Sequence, residues 1–194
     1  MKLNSQELDL CKRIAVARNA SNRAGGIRDA KIGGGTSIEV DMRGMCGELA
    51  FCKLFKIYPV TIFESGEKDV VKSSSKRTDE GDAVLPNGKI VDVKTTNFNT
   101  GRLIAPRWKK PGIIDLFALM TGENDTFVFR GFMSEKELLR PHRLRQMRRD
   151  APESFVADQN ELRELDEAEM FTGDVDAIVN RFEGRNTDVI PMFD

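Results

Sequence analysis

The chain has 194 residues, 40% of them hydrophobic, which suits one compact domain with a real core and makes two full domains cramped. No run of about 18 or more apolar residues appears, and Met1 to Ser5 lead into a charged amphipathic stretch, so neither a membrane span nor a secretion signal is expected and a cytoplasmic location is. The formal net charge of −1 hides an asymmetry: Asp158–Asp194 holds eleven carboxylates against three arginines, a net of −8 that leaves +7 on residues 1–157.

In chain order, Asn4 or Ser5 can cap a first helix in which Leu8, Cys11, Ile14 and Ala15 recur at helical spacing until about Asn19. Residues 21–37 mix five glycines with Arg23, Arg28 and Lys31, the composition of a basic loop. These glycines lack the Gly-Lys-Ser or Gly-Lys-Thr ending of a phosphate-binding loop. A second helix is predicted from Asp41, with Met42, Met45, Leu49 and Cys52 as its apolar stripe, Glu48 beside that stripe and Pro59 as its limit. Short apolar segments then read as strands at 60–63, 69–72, 82–85, 90–96, 102–105, 113–120 and 126–132. Turns are expected at Pro86-Asn87-Gly88 and over residues 121–125. Ser134 and Glu137 form a capping signature for a short helix ending before Pro141. A strand near 154–156 and helices at 160–170 and 174–183 complete the reading. The expected class is α/β to α+β, a central mixed sheet flanked by helices. Its parts are an N-terminal helix and loop (1–39), a core (40–157) and an acidic helical extension (158–194).

Chemistry must rest on carboxylates and lysines. Cys11, Cys46 and Cys52 fit no Cys-x-x-Cys spacing and lie in apolar-periodic stretches, so they read as reduced core thiols. One histidine, His142, leaves no imidazole cluster or relay. Side chains alternate along a strand, so Asp92 and Lys94 share one face while Val91, Val93 and Thr95 take the other. If Pro86 to Gly88 form a three-residue loop, Asp82 falls opposite Asp92 on that face; a two-residue loop would turn it away. Two carboxylates, the Val93 carbonyl and waters make an incomplete oxygen shell for a hard cation such as magnesium, with manganese as the natural substitute. Lys94 could then orient a water or offset transition-state charge.

The order of these parts resembles the PD-(D/E)XK nuclease superfamily, the restriction-endonuclease-like fold. The matching stretches are Gly47-Glu48-Leu49-Ala50-Phe51 on the helix, Asp79-Glu80-Gly81-Asp82-Ala83-Val84 on one strand and Ile90-Val91-Asp92-Val93-Lys94-Thr95-Thr96 on the next. The layout looks most like small nucleases of phage genomes, which would make the compartment a host cytoplasm. The resemblance covers residues 40–140 and implies an active site of Glu48, Asp82, Asp92 and Lys94. The implied metal shell draws on Glu48, Asp82, Asp92 and Val93. No proline directly precedes Asp82, and Asp79 is the rival acid. In a chain with 31% charged residues about one chance Asp-x-Lys or Glu-x-Lys is expected, so the ordered set carries the likeness rather than the tripeptide.

Arg28, Lys31, Arg102, Arg107, Trp108, Lys109, Lys110, Arg143 and Arg145 are the candidates for contact with nucleic acid. Cations would meet phosphates and Trp108 would stack on a base, a pattern suited to backbone binding rather than base readout. The expected activity is magnesium-dependent hydrolysis of DNA, with a homodimer suiting paired nicks in a duplex. The alternatives are a nuclease-like module that binds nucleic acid or a protein without catalysis, and a structural or regulatory partner protein using the acidic tail.

Overall fold

The computed structural model describes residues 1–24, 36–57, 81–147, 149 and 151–164. Helix α1 (Ser5–Ala24) starts at Asn4, whose side chain accepts the Glu7 N–H at 2.9 Å while the Glu7 carboxylate accepts the Asn4 N–H at 2.6 Å. It continues past the expected stop near Asn19 because packing on the second helix outweighs local propensity. Asn19 donates to Asp41 at 3.2 Å and Arg23 to the Ser37 hydroxyl at 2.6 Å.

Helix α2 (Ser37–Phe55) begins earlier than the Asp41 expected. Thr36 and Glu39 form a reciprocal cap, with the Thr36 hydroxyl accepting at 3.3 Å and the Glu39 carboxylate at 2.6 Å. The helix ends on Lys56, which adopts a left-handed conformation (φ 52, ψ 42) and returns its N–H to the Cys52 and Lys53 carbonyls. The cap at Lys56 terminates the helix before Pro59, which lies outside the described residues together with the strands expected at 60–63 and 69–72.

Four strands form a mixed sheet: β1 (Ala83–Val84), β2 (Ile90–Thr96), β4 (Leu116–Glu123) and β5 (Thr126–Ser134), in the order β1-β2-β4-β5. β1 and β2 are antiparallel, β2 and β4 parallel, and β4 and β5 antiparallel. The expected turn over residues 121–125 contracts to Asn124 and Asp125, with Asn124 at φ 57, so Thr121 and Gly122 belong to the strand. The register slips between Leu119 and Met120, where Arg130 is the extra residue and donates to the Thr121 hydroxyl at 2.7 Å.

The two long helices cover one face of this sheet. Val91, Val93, Leu116, Ala118, Met120, Phe127 and Phe132 pack with α2 and, beyond it, with Cys11, Ile14 and Ala15 of α1. Leu3 joins the same core and Lys2 bridges to Thr126, so the leading segment and α1 build one core with the sheet. Cys11, Cys46 and Cys52 are buried free thiols within it.

The other face is covered by a second sheet that the sequence reading did not separate from the first: β3 (Leu103–Pro106), β7 (Ser154–Ala157) and β6 (Leu144–Arg145), all antiparallel, in the order β3-β7-β6. Leu103, Ala105, Phe155 and Ala157 meet Phe117, Leu119 and Met133 of the first sheet. Alternation along β3 explains this, since Leu103 and Ala105 are buried while Ile104 and Pro106 are only partly so. Helix α3 (Glu135–Leu138) follows β5 with the expected Ser134–Glu137 cap and buries Leu138 in the second core.

The helix expected at 160–170 fails where it can be observed. Gln159–Glu161 is a single 3-10 turn, and Arg163 then exchanges backbone hydrogen bonds with Phe132 at 2.6 and 2.9 Å. The free backbone of β5 captures the chain in extended form. Residues 165–194, including the helix expected at 174–183, lie outside the described residues. No described helix is long and apolar enough to cross a membrane.

Candidate functional site

The turn between β1 and β2 decides how the acids meet. Leu85 donates to Lys89 at 2.9 Å and Gly88 to Leu85 at 2.8 Å, so the loop is the three residues Pro86, Asn87 and Gly88. Ala83 pairs with Val91 and Val84 with Ile90; Asp82, just before β1, also donates its N–H to the Val91 carbonyl at 2.8 Å, so it stands beside Ala83 as an extra residue rather than directly opposite Asp92. Its carboxylate turns toward the edge of β2 just beyond the end of β1, where Oδ2 accepts the Val93 N–H at 2.7 Å. A strand residue's N–H and C=O leave on the same edge, so the Val93 carbonyl belongs to the Asp82 side.

Asp92 stands on the face opposite Val91 and Val93, where its parallel neighbour is Phe117. It is only 2% exposed. Both of its oxygens are engaged: Oδ1 by the Lys94 ammonium and Oδ2 by the Lys109 ammonium. Lys109, expected at a nucleic-acid surface, is buried and reaches this site from the connector between β3 and β4. Its ammonium also lies 5.9 Å from the centroid of the Phe117 ring and 5.2 Å from that of Trp108.

Glu48 approaches from α2. The helix can lie close to β2 because of Gly47: a Cβ there would fall 1.9 Å from the Thr95 hydroxyl oxygen. Glu48 is buried, and Arg18 of α1 stands 3.8 Å from its Oε1. The sequence reading missed Arg18, whose only signal was its place one turn beyond the apolar residues of α1.

Electrostatics tie the three acids together. Burial pushes the Asp82 carboxyl well above the usual aspartate range, the Glu48 and Asp92 carboxylates add to the rise, and Lys94 and the Val93 N–H only partly offset it. For Asp92 burial acts in the same direction, but Lys94 and Lys109 outweigh it and the carboxyl is held below its ordinary value. Burial opposes charge on Lys94 too, yet Asp92, Asp82 and Glu48 overcome it and raise the ammonium's pKa. Burial, followed by Glu48 and Asp82, also raises the Cys52 thiol. Among the described residues no group of three or more His, Cys, Asp and Glu side chains is gathered into a ready metal shell. The arrangement is instead a buried network of acids and ammonium groups.

Of the remaining described candidates all but Arg143, whose side chain is 14% exposed, lie on the surface. Arg102 pairs with Asp158 at 2.6 Å, Arg107 with Glu153 at 2.6 Å and Arg143 with Glu161 at 2.9 Å. Lys110 and Arg145 are exposed, and Trp108 is 45% exposed. Arg28, Lys31 and Asp79 lie outside the described residues.

The fold is thus an α+β one with a mixed sheet, and its densest charge cluster sits at the edge where β1 ends. The chain belongs to the DUF5843 family, described as a family of unknown function, which it matches over residues 1–171. No curated protein and no solved structure matches it.

Proposed function

We propose that this chain is a magnesium-dependent nuclease that hydrolyses phosphodiester bonds of DNA on a restriction-endonuclease-like core. The observation that carries the reading is that Asp82, on the Val93 N–H of β2, feels the charges of Glu48, Asp92 and Lys94, while Lys94 pairs with Asp92 two residues along the same strand. Buried charges cost several kcal/mol each, and a fold that only needed packing would be served as well by apolar residues here (on the order of 1–4 kcal/mol better in measured replacements). Such perturbed groups concentrate at functional sites.

The donor set suits a hard divalent cation: three carboxylates and a strand carbonyl, all oxygen. Burial raises Asp82 most, and the Glu48 and Asp92 carboxylates, which add to that rise, are the charges a cation would relieve. Asp82, Asp92, the Val93 carbonyl and Glu48 are the residues that would hold it. The chemistry supplied by bound magnesium, or by manganese in its place, is polarisation of the phosphoryl oxygen and a lower pKa for bound water. Lys94, fixed on β2 beside Asp92, orients the attacking water and offsets charge developing on the phosphoryl group. The surface arginines and Trp108 supply contacts to the DNA backbone and bases, in a cytoplasmic setting, with a homodimer for paired nicks.

Incubation of the full chain with single-stranded, duplex and branched DNA tests the reading. Cleavage is expected with magnesium and not with chelator, and Lys94→Met is expected to lose about a hundredfold or more. Absence of cleavage from every substrate would remove it. One observation favours a second reading, a nucleic-acid-binding module without catalysis: both Asp92 oxygens already hold lysines, so the network is neutralised without a metal. In that case DNA binding would persist without any response to magnesium.

A further inference from the structure

Lys109 has no part in the function as proposed so far, yet it is the most deeply placed cation of the network. Its side chain is 5% exposed, against 28% for Lys94, and its ammonium holds the Asp92 oxygen that Lys94 does not. A divalent cation ligated by Asp92 would stand within a few ångströms of both ammonium groups, and like charges at that distance repel strongly. One of the two must withdraw. Lys94 belongs to the middle of β2, paired along its length with β4, and stays where the strand puts it.

Lys109 belongs to a connector between β3 and β4, outside either sheet. Along the connector, Lys109 donates its backbone N–H to Pro106 at 3.0 Å, and Gly112 donates to the Glu135 carboxylate at 2.6 Å. Gly112 adopts φ +93, a conformation that side chains rarely take, and nothing lies within 4 Å of the place its Cβ would occupy. Lys109 lies outside the paired residues of both sheets, so its side chain can leave Asp92 without breaking a strand pairing. Its flank is exposed at Trp108, Lys110 and Ile113, so the ammonium has solvent to enter.

We propose that Lys109 is a placeholder cation: it neutralises Asp92 while the site holds no metal, and it leaves that carboxylate when a divalent cation arrives. The inference rests on the metal-binding reading above and adds to it the residue that sets how readily the metal enters. Lys109 competes with the metal for Asp92, so the metal's apparent affinity is reduced by the free energy of the Lys109–Asp92 pair. The same competition keeps the buried acids from standing unpaired in the metal-free chain.

Manganese alone is the probe, titrated by calorimetry into the full chain carrying Lys109→Met, with Lys110→Met as a control for loss of one positive charge nearby. Lys109→Met is expected to tighten manganese binding about tenfold or more, while Lys110→Met stays within about twofold of the unaltered chain. Equal affinity in the unaltered chain and Lys109→Met overturns the placeholder role and leaves the metal site standing. Equal tightening in both variants also overturns it, since a general field effect would then suffice. No manganese binding in any of them overturns both the role and the metal reading. A second measurement needs no variant: acetylation by an N-hydroxysuccinimide ester, read by mass spectrometry. Lys109 is expected to be protected without metal and labelled at saturating manganese, with Lys110 labelled equally in both states. Protection of Lys109 that persists at saturation contradicts the proposal.

Discussion

Two charged regions of this molecule come from stretches that look alike in sequence and differ entirely in setting. Near the end of β1, Lys94 and Lys109 hold the two oxygens of Asp92, and Glu48, Asp92 and Lys94 act through their charges on Asp82. Along the second sheet and the segments beside it, Arg102, Arg107 and Arg143 each reach a surface acid: Asp158, Glu153 and Glu161. The first network is hidden from water, so each group depends on the others. The second is solvated at Arg102 and Arg107, and those pairs can be exchanged for phosphates at little cost. Burial therefore separates a site from a surface where composition cannot.

The sharpest way to break this contrast is Asp92→Asn. In the buried network it leaves Lys94 and Lys109 without their shared partner, a loss of roughly 3–5 kcal/mol. Chemical denaturation of the metal-free chain measures it. A change under about 0.5 kcal/mol, the size usual for a surface position, would place Asp92 with the solvated pairs.

Asp82→Asn is expected to act in the opposite direction. The folded-state carboxyl of Asp82 lies above its unfolded value, so the folded chain holds that proton more tightly. Its contribution to stability is thus present at low pH and is lost as pH rises from the ordinary aspartate range through the raised folded value. Above that range Asp82→Asn should raise the melting temperature of the metal-free chain by about 2–4 °C, equivalent to roughly 1 kcal/mol. It should also flatten stability against pH across the same window, while abolishing any metal-dependent cleavage. A lower melting temperature would show that the Val93 N–H bond outweighs repulsion from Glu48 and Asp92.

The smallest effects belong to the arginines. Arg102→Gln or Arg107→Gln alone should change stability by less than about 0.5 kcal/mol, and Arg143→Gln, which removes a mostly buried side chain and its bond to the Glu137 carbonyl, by more. Combined, they should weaken DNA binding and reduce its salt dependence by about 0.9 in slope for each phosphate no longer neutralised. Unchanged salt dependence in the triple variant would remove these residues from the DNA surface.

Much of the arrangement could be read from strand periodicity. The alternation at 90–96 fixed which residues share a face, and Pro86-Asn87-Gly88 carried the three-residue loop length, whereas the extra residue at Asp82, whose N–H shares the Val91 carbonyl, had no local signal. The Ser134–Glu137 cap marked a helix correctly because an apolar residue, Leu138, follows it into a core. Asp158 and Glu161 carry the same signature over a single 3-10 turn, since Arg163 finds a better partner in the Phe132 backbone. Lys109 was misplaced for a different reason. A lysine in a Trp-Lys-Lys-Pro stretch reads as surface, and only the fold brings the connector under Asp92. Gly47 carried no local signal either, because its role is set by a tertiary contact with Thr95.

Anomalous diffraction from crystals soaked with manganese tests the central claim most directly. The account predicts one ion bound jointly by the carboxylates of Asp82 and Asp92, with the Val93 carbonyl beside it and Lys109 withdrawn. A saturating soak that leaves no ion there, with Lys94 and Lys109 still on Asp92, would contradict it.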